Sequence, residues 1–333
     1  MLAPGGYLAV DLFFALSGFV LTRLYSPGLQ AGASPRAFLI RRAIRLYPLH
    51  MAGVALFFLV LLPRSLREVP GHIPLPLLLT YLPLNLAMLP APFGPNVFPI
   101  NGQAWTMFLE GAASIAFALG LFRLPRLWLA WLTAACALIL IAAALHYPPE
   151  PPISDRSVLE YGSRWAGFDI GAARTCFSFS AGMLLARLPA ISVRLPSEVS
   201  LVCMIIAVAA MVVAVPGQFR LAYDFAFIMA LSPLLIFIGA NVEPPEMLEV
   251  AGAWLGKISY AVYVVHTLTG SICFMAAHSF GRPSIDFLPI YLVVTVAAAW
   301  FLTEMFDRPV RRALTRRWLS AEAQGSVRDE ALT

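Results

Sequence analysis

At 333 residues, with 60% hydrophobic and only 12% charged residues, the chain is too apolar for a soluble protein, where roughly 25% of residues carry charge. A mean hydropathy of +0.79 leaves no room for a sizeable soluble domain. The net charge of +5 therefore belongs to a membrane protein and is no footprint of nucleic-acid binding.

Apolar runs long enough to cross about 30 Å of hydrocarbon occur near residues 7–24, 46–62, 104–122, 127–147, 170–187, 199–215, 222–239, 258–277 and 287–306. These nine spans predict an all-α, polytopic integral-membrane helical bundle over residues 1–319. A polar tail at 320–333 reads as disordered and cytoplasmic. A tenth apolar stretch, 73–90, contains Pro74, Pro76, Pro83 and Pro90 and reads as a short re-entrant or interfacial segment. With the first span starting outside and the rest alternating, inner segments hold sixteen of the 23 basic residues and outer ones six, Arg174 lying within a span. That bias predicts an N-out, C-in chain. Cys136, Cys176, Cys203 and Cys273 lie in apolar spans without paired spacing, which points to packing and to no metal or disulfide framework.

Polar residues inside the spans carry the functional signal. Asp11 sits in the first span, where a carboxylate costs about 2.5–3.5 kcal/mol at mid-bilayer and so calls for a partner or a task. Tyr7, Asp11, Ala15, Gly18 and Thr22 recur every three or four residues, a small, polar helix face suited to close helix contact. The run RRAIR (41–45) precedes the second span at its inner mouth. In the third, Thr106, Glu110 and Ser114 share a face, with Trp105 beside them. In the eighth, Ser259, Tyr263, His266, Thr269 and Gly270 form a polar edge, His266 near mid-membrane. Asp11, Glu110, Arg174 and Asp224 fall toward the outer side. Together they predict a polar track across the bundle, cationic inside and acidic outside.

Each residue also has a plainer reading. Asp11 can pair with Arg174 to hold two helices, and Glu110 can pair in the same way. His266 can be a neutral core histidine, and RRAIR an inner-face anchor. His50, His72, His146 and His278 lie near span ends or in loops and read as background. The loop at 148–169, with Glu150, Asp155, Arg156, Glu160, Arg164 and Asp169, reads as an outer, acceptor-facing element. No P-loop, GxSxG elbow, HExxH or CxxC pair is present, so any catalysis is intramembrane. A transporter of a lipid-linked saccharide or anion could use the same track without chemistry.

Five segments in order resemble the motifs of one family. GGYLAVDLFFALSGFVLT (5–22), FLIRRAIRLYPLH (38–50), NGQAWTMFLE (101–110), ISYAVYVVH (258–266) and FDRPVRR (306–312) are similar to those of the membrane acyltransferase-3 family, bacterial carbohydrate O-acyltransferases. The resemblance implies transfer of an acyl group, often acetyl, from cytoplasmic acyl-CoA to a sugar hydroxyl of a cell-surface or exported carbohydrate. Acyl-CoA is then a co-substrate, with no permanently bound cofactor, and the site lies in the bacterial inner membrane. By position, Arg42 and Arg45 would hold the CoA phosphates. Asp11, Trp105, Glu110 and His266 would line the reaction pocket, with Ser17 and Tyr263 of the same motifs.

Departures from the family pattern are Thr106 for serine, Asp307 for glutamate, and His50 near positions more often aromatic. Family members also ordinarily carry an earlier helix with an arginine and a histidine thought to be the base. No residue before Gly5 supplies these. The sequence therefore reads as lacking the first helix, either because the recorded start is internal to a longer gene or because the chain is an inactive relative. Within it, His266 is the mid-membrane imidazole able to act as base or oxyanion donor, with Asp11 or Glu110 orienting acceptor hydroxyls. Another intramembrane acyltransferase class, built on a buried histidine such as His266, would need no earlier helix.

Overall fold

The computed structural model describes residues 5–146, 162–189 and 196–330, and within these each of the nine predicted spans is mostly helical. In chain order the helices are α1 (Ala9–Gln30), α2 (Pro35–Leu66), α3 (Leu75–Leu86), α4 (Ala104–Leu119), α5 (Arg126–His146) and α6 (Phe168–Ala186). Then come α7 (Glu198–Val212), α8 (Gly217–Ala226), α9 (Ser232–Gly239), α10 (Glu246–Ser279), α11 (Leu288–Leu302) and α12 (Arg308–Glu330). Single π-helical turns at Phe227–Leu231 and Thr303–Asp307 join α8 to α9 and α11 to α12. No strand occurs among the described residues beyond an isolated bridge between Asn96 and Arg164. An all-α polytopic membrane protein is the result, as hydrocarbon demands of a backbone that must satisfy its own hydrogen bonds.

Six helical stretches among the described residues are both long and apolar enough to cross a membrane: Gly6–Gln30, Pro35–Leu66, Arg126–His146, Gly217–Gly239, Glu246–Ser279 and Ile285–Leu319. They contain six of the nine predicted spans. The other three predicted spans are helices, but α4 has 16 residues and α7 has 15. The 19 residues of α6 are diluted by Asp169, Arg174 and several serines and glycines. The stretch at 73–90 yields only the 12-residue α3, capped by Pro74 with Pro76 in its first turn, where a missing N–H costs nothing. Helices α2 and α10 run to 32 and 34 residues because their polar ends continue the same rod; RRAIR lies inside α2. The last helix continues into the polar tail that composition reads as disordered. Much of the 148–169 loop lies outside the described residues.

The chain divides into two compact units. The first comprises residues up to Pro35, Phe93–Val97 and Phe108–Glu249. Its centre is the contact of α1 with α6, which run in the same direction. A Cβ on Gly18 would stand 2.0 Å from the Phe179 carbonyl oxygen, and one on Gly182 would stand 1.9 Å from that of Ala15. Neither distance is tolerable, so the two glycines let the backbones touch. Each of Gly18→Ala and Gly182→Ala is expected to destabilise the purified protein by about 1–3 kcal/mol through overpacking. Gly252→Ala, which meets nothing within 4 Å, serves as the control in thermal unfolding. Around this contact an apolar core forms from Leu8, Leu140, Ile170, Phe177 and Phe227. On α5, Leu127, Trp128, Trp131 and Leu138 are exposed, the apolar outer face a lipid-facing helix needs.

The second unit comprises Arg36–Pro92, Phe98–Met107 and the chain from Val250. Helices α2 and α10 run in the same direction within it. The Tyr260 hydroxyl donates to the Leu46 carbonyl at 2.9 Å, and a Cβ on Gly53 would stand 2.6 Å from the Val264 side chain. Helix α3 closes on α2 through Val54, Leu78, Tyr81, Ala91 and Ile100. Thr269 and Thr295 hydroxyls meet at 2.7 Å and tie α10 to α11.

Candidate active site

In the first unit the buried charges neutralise one another. Asp11 and Arg174 are 0% and 1% exposed, and the guanidinium engages both carboxylate oxygens, Nε donating at 3.2 Å and the second nitrogen closer still. Ser178 donates to the same carboxylate at 3.5 Å. Beside this pair the Tyr7 hydroxyl donates to Asp224 and accepts from Arg220 Nε at 3.0 Å. Arg220 and Asp224 lie one helical turn apart on α8 at 3.6 Å. Both arginines also lie over the Tyr7 ring, at 5.9 and 5.3 Å. Two acids and two arginines thus form a closed, net-neutral cluster, the arrangement that makes buried charge tolerable.

In the second unit a chain of hydrogen bonds surrounds His266. On α10 its Nδ1 lies 2.8 Å from the Tyr263 carbonyl, which can only accept, so Nδ1 carries the proton. The lone pair is left on Nε2, which the Gln103 amide nitrogen approaches at 3.0 Å. The Gln103 carbonyl oxygen is buried without a hydrogen-bond partner among the described residues. Thr106 Oγ1 donates to the Gln103 backbone carbonyl at 2.9 Å, so the Tyr263 hydroxyl, 2.7 Å from the same oxygen, must donate to it. That fixes the start of α4 against α10. A basic imidazole nitrogen and an unsatisfied buried acceptor therefore stand side by side. An acceptor hydroxyl that takes the place of the Gln103 N–H at Nε2 could lose its proton to that nitrogen, while a second hydroxyl of the same molecule donates to the Gln103 oxygen.

The predicted residues divide between the two units. Asp11, Ser17 and Glu110 belong to the first; Arg42, Arg45, Trp105, Tyr263 and His266 belong to the second. The structure joins Asp11 to Arg174, the plainer of its two readings, and joins Tyr263 to His266 through Gln103 and Thr106. Arg42 is buried and Arg45 exposed, both on α2. Trp105 is buried on α4, and Glu110 is half-buried one turn beyond Thr106. The Ser17 hydroxyl is buried with no hydrogen-bond partner among the described residues.

Gln103 is the residue that sequence reasoning missed. It is uncharged and lies just ahead of a helix, so only its place in NGQAWTMFLE marks it. His50, read as background, is 0% exposed inside α2, and its Nε2 donates to the Asn85 carbonyl at 2.7 Å. Arg220, just ahead of the predicted span at 222–239, is buried. Among the described residues no three of His, Cys, Asp or Glu gather as a metal-binding group.

The sequence matches the acyltransferase domain of the acyltransferase-3 family over residues 3–304. It is 26% identical over 348 residues to acyltransferase MdmB of Streptomyces mycarofaciens, covering 98% of this chain and 86% of that one. It is 25% identical over 326 residues to exopolysaccharide production protein ExoZ of Rhizobium meliloti, covering 94% and 92%. Protein 2 in the picA locus of Rhizobium radiobacter is 36% identical over 155 residues, 42% of this chain and 80% of that protein. No solved structure matches. A match across nearly the whole chain, carried on an all-α membrane fold, means that this protein belongs to the acyltransferase-3 family and is a transferase enzyme.

Proposed function

We propose that the protein is an integral-membrane O-acyltransferase of the bacterial inner membrane, C-terminus cytoplasmic, moving an acyl group from cytoplasmic acyl-CoA to a carbohydrate hydroxyl. Acetyl is the acyl group the family resemblance favours. ExoZ, named for exopolysaccharide production, supports a glycan acceptor. The observation that carries the proposal is the His266 Nε2 lone pair beside the orphaned Gln103 oxygen.

In this reading His266 Nε2 takes the acceptor hydroxyl proton as the oxygen bonds to the thioester carbonyl carbon. The tetrahedral intermediate then breaks its carbon–sulfur bond, and the CoA thiolate leaves with the proton returned by the imidazolium. The Gln103 oxygen would accept from a neighbouring hydroxyl of the acceptor and so orient it. Trp105 and Tyr263 line the site. Arg42 and Arg45 would grip the CoA phosphates, with guanidinium N–H groups suited to phosphate oxygens. Leu46 meets Tyr260, so helical rise separates Arg42 from His266 by about 15 Å along the parallel helices. That is a reach an extended pantetheine arm can make. Asp11 is proposed to act through Arg174, positioning α1.

The test is transfer by purified full-length protein in nanodiscs. Labelled acetyl-CoA and a panel of oligosaccharides should yield acetylated saccharide and free CoA thiol in equal amounts. Uptake of a saccharide without thiol release would overturn the proposal. Gln103→Ala is expected to lower kcat about tenfold, one hydrogen bond's worth, with little change in KM for acetyl-CoA. Steady-state kinetics reads that split.

A further inference from the structure

An open cleft of about 510 Å³ lies in the first unit at the C-terminal end of α1, the opposite end of that helix from the Tyr7 cluster. The α4–α5 connection and the end of α6 complete its walls. Arg23, Arg123, Arg126 and Arg187 ring it, and no residue lining it is acidic. Guanidiniums remain charged at any physiological pH. Four of them around one space repel one another unless an anion sits between them.

The arginines are held in place. Arg23 lies over the Phe19 ring at 5.6 Å and Arg123 over the Phe122 ring at 5.1 Å. Such stacking uses the face of a guanidinium and leaves its N–H edge for another partner. Arg187 donates to the Phe122 carbonyl at 3.0 Å and also to that of Leu124, while Arg126 donates to the Arg187 carbonyl. The connection and the helix end are thereby pinned into one cradle. Helix α5 begins at Arg126, adding the positive end of its dipole.

A second, independent feature points to a ligand. Thr22 Oγ1 and Ser26 Oγ, one turn apart on the cleft wall, are buried without a hydrogen-bond partner among the described residues, each residue only 6% exposed. A helical serine or threonine ordinarily bonds back to the carbonyl one turn before it. These two do not, and both residues line the same cleft as the arginines.

We propose that this cleft binds a phosphate group, its charge met by the arginines and its oxygens by the Thr22 and Ser26 hydroxyls. The site shares no residue with Arg42 and Arg45 and does not depend on the transfer reaction proposed above. The basic-residue bias assigns this end of α1 to the cytoplasmic side. Two sources of phosphate meet a membrane protein there, the headgroup of an anionic phospholipid and a soluble phosphate.

The test uses the full chain in phosphatidylcholine nanodiscs, with pyrophosphate as the soluble probe and added phosphatidylglycerol as the lipid probe. Native mass spectrometry reads retained lipid, and thermal unfolding reads the pyrophosphate shift. Arg123→Gln/Arg126→Gln is expected to weaken whichever probe binds by tenfold or more, and Ser26→Ala by several-fold. Arg67→Gln/Arg282→Gln, the same charge change at exposed positions elsewhere, should leave binding unchanged. Binding of phosphatidylglycerol alone identifies a lipid headgroup site; binding of pyrophosphate, with competition between the two, identifies a soluble phosphate. Binding of neither probe, or equal loss in the control variant, would overturn the proposal. Should the arginine variant fail to fold, full binding by Ser26→Ala and by Thr22→Val would overturn it equally.

Discussion

Asp11→Asn alone should cost the protein about 3–5 kcal/mol, because it leaves the Arg174 guanidinium charged, buried and short of a carboxylate. The guanidinium is 1% exposed between α1 and α6, too deep for water to replace the lost oxygens. Removing both charges is a different matter. Asp11→Leu/Arg174→Met replaces the pair by apolar groups of similar length, an exchange that is often neutral or favourable by about 1–4 kcal/mol. The double variant should therefore unfold near the wild-type temperature, while each single variant unfolds well below it. Tryptophan fluorescence during heating of detergent-purified protein gives all four corners of that cycle. Tyr7 modulates the result, since its ring lies 5.9 Å from the Arg174 guanidinium and its hydroxyl bridges Arg220 and Asp224. Transfer should return with the fold in the double variant. A folded double variant without transfer would restore Asp11 to the chemistry.

Why that pair was readable from sequence, and Gln103 was not, comes down to what hydrophobicity exposes. A carboxylate in an apolar run is conspicuous, and Arg174 was a cation inside a span, so the Asp11–Arg174 bond could be named as one of two outcomes. The stripe Tyr7, Asp11, Ala15, Gly18, Thr22 likewise marked the buried face of α1. Its opposite number, Gly182, closes a similar stripe on α6, Gly171, Thr175, Ser178 and Gly182, but two stripes do not say which residues meet, and only the fold shows that the two glycines do so reciprocally. Helix ends were least legible. Hydropathy stops at the arginines of RRAIR, whereas the backbone continues through them from Pro35, because a helix end in water tolerates charge that a span centre does not. His50 was misplaced for the same reason: it follows those arginines in sequence, yet it lies inside the rod and against Asn85. Gln103 had neither charge nor period. Its significance is positional and comes from an imidazole 163 residues away.

His266→Ala is expected to reduce transfer by about 10²–10⁴-fold, the usual contribution of a positioned base, with the unfolding temperature little changed. The half-buried ring is held by one backbone carbonyl and one amide, so its removal opens a small polar gap without stranding a charge. KM for acetyl-CoA should stay near the wild-type value, whereas Arg42→Gln should raise that KM with a smaller effect on kcat. His266→Asn sharpens the assignment. Its amide can still donate to the Tyr263 carbonyl, as Nδ1 does, but it offers no imidazole lone pair to an acceptor hydroxyl. If the proton leaves through Nε2, the asparagine variant fails as badly as alanine despite keeping the helix contact. Full transfer by a folded His266→Asn protein would reduce His266 to a structural donor, and the acceptor proton would have to leave through another group.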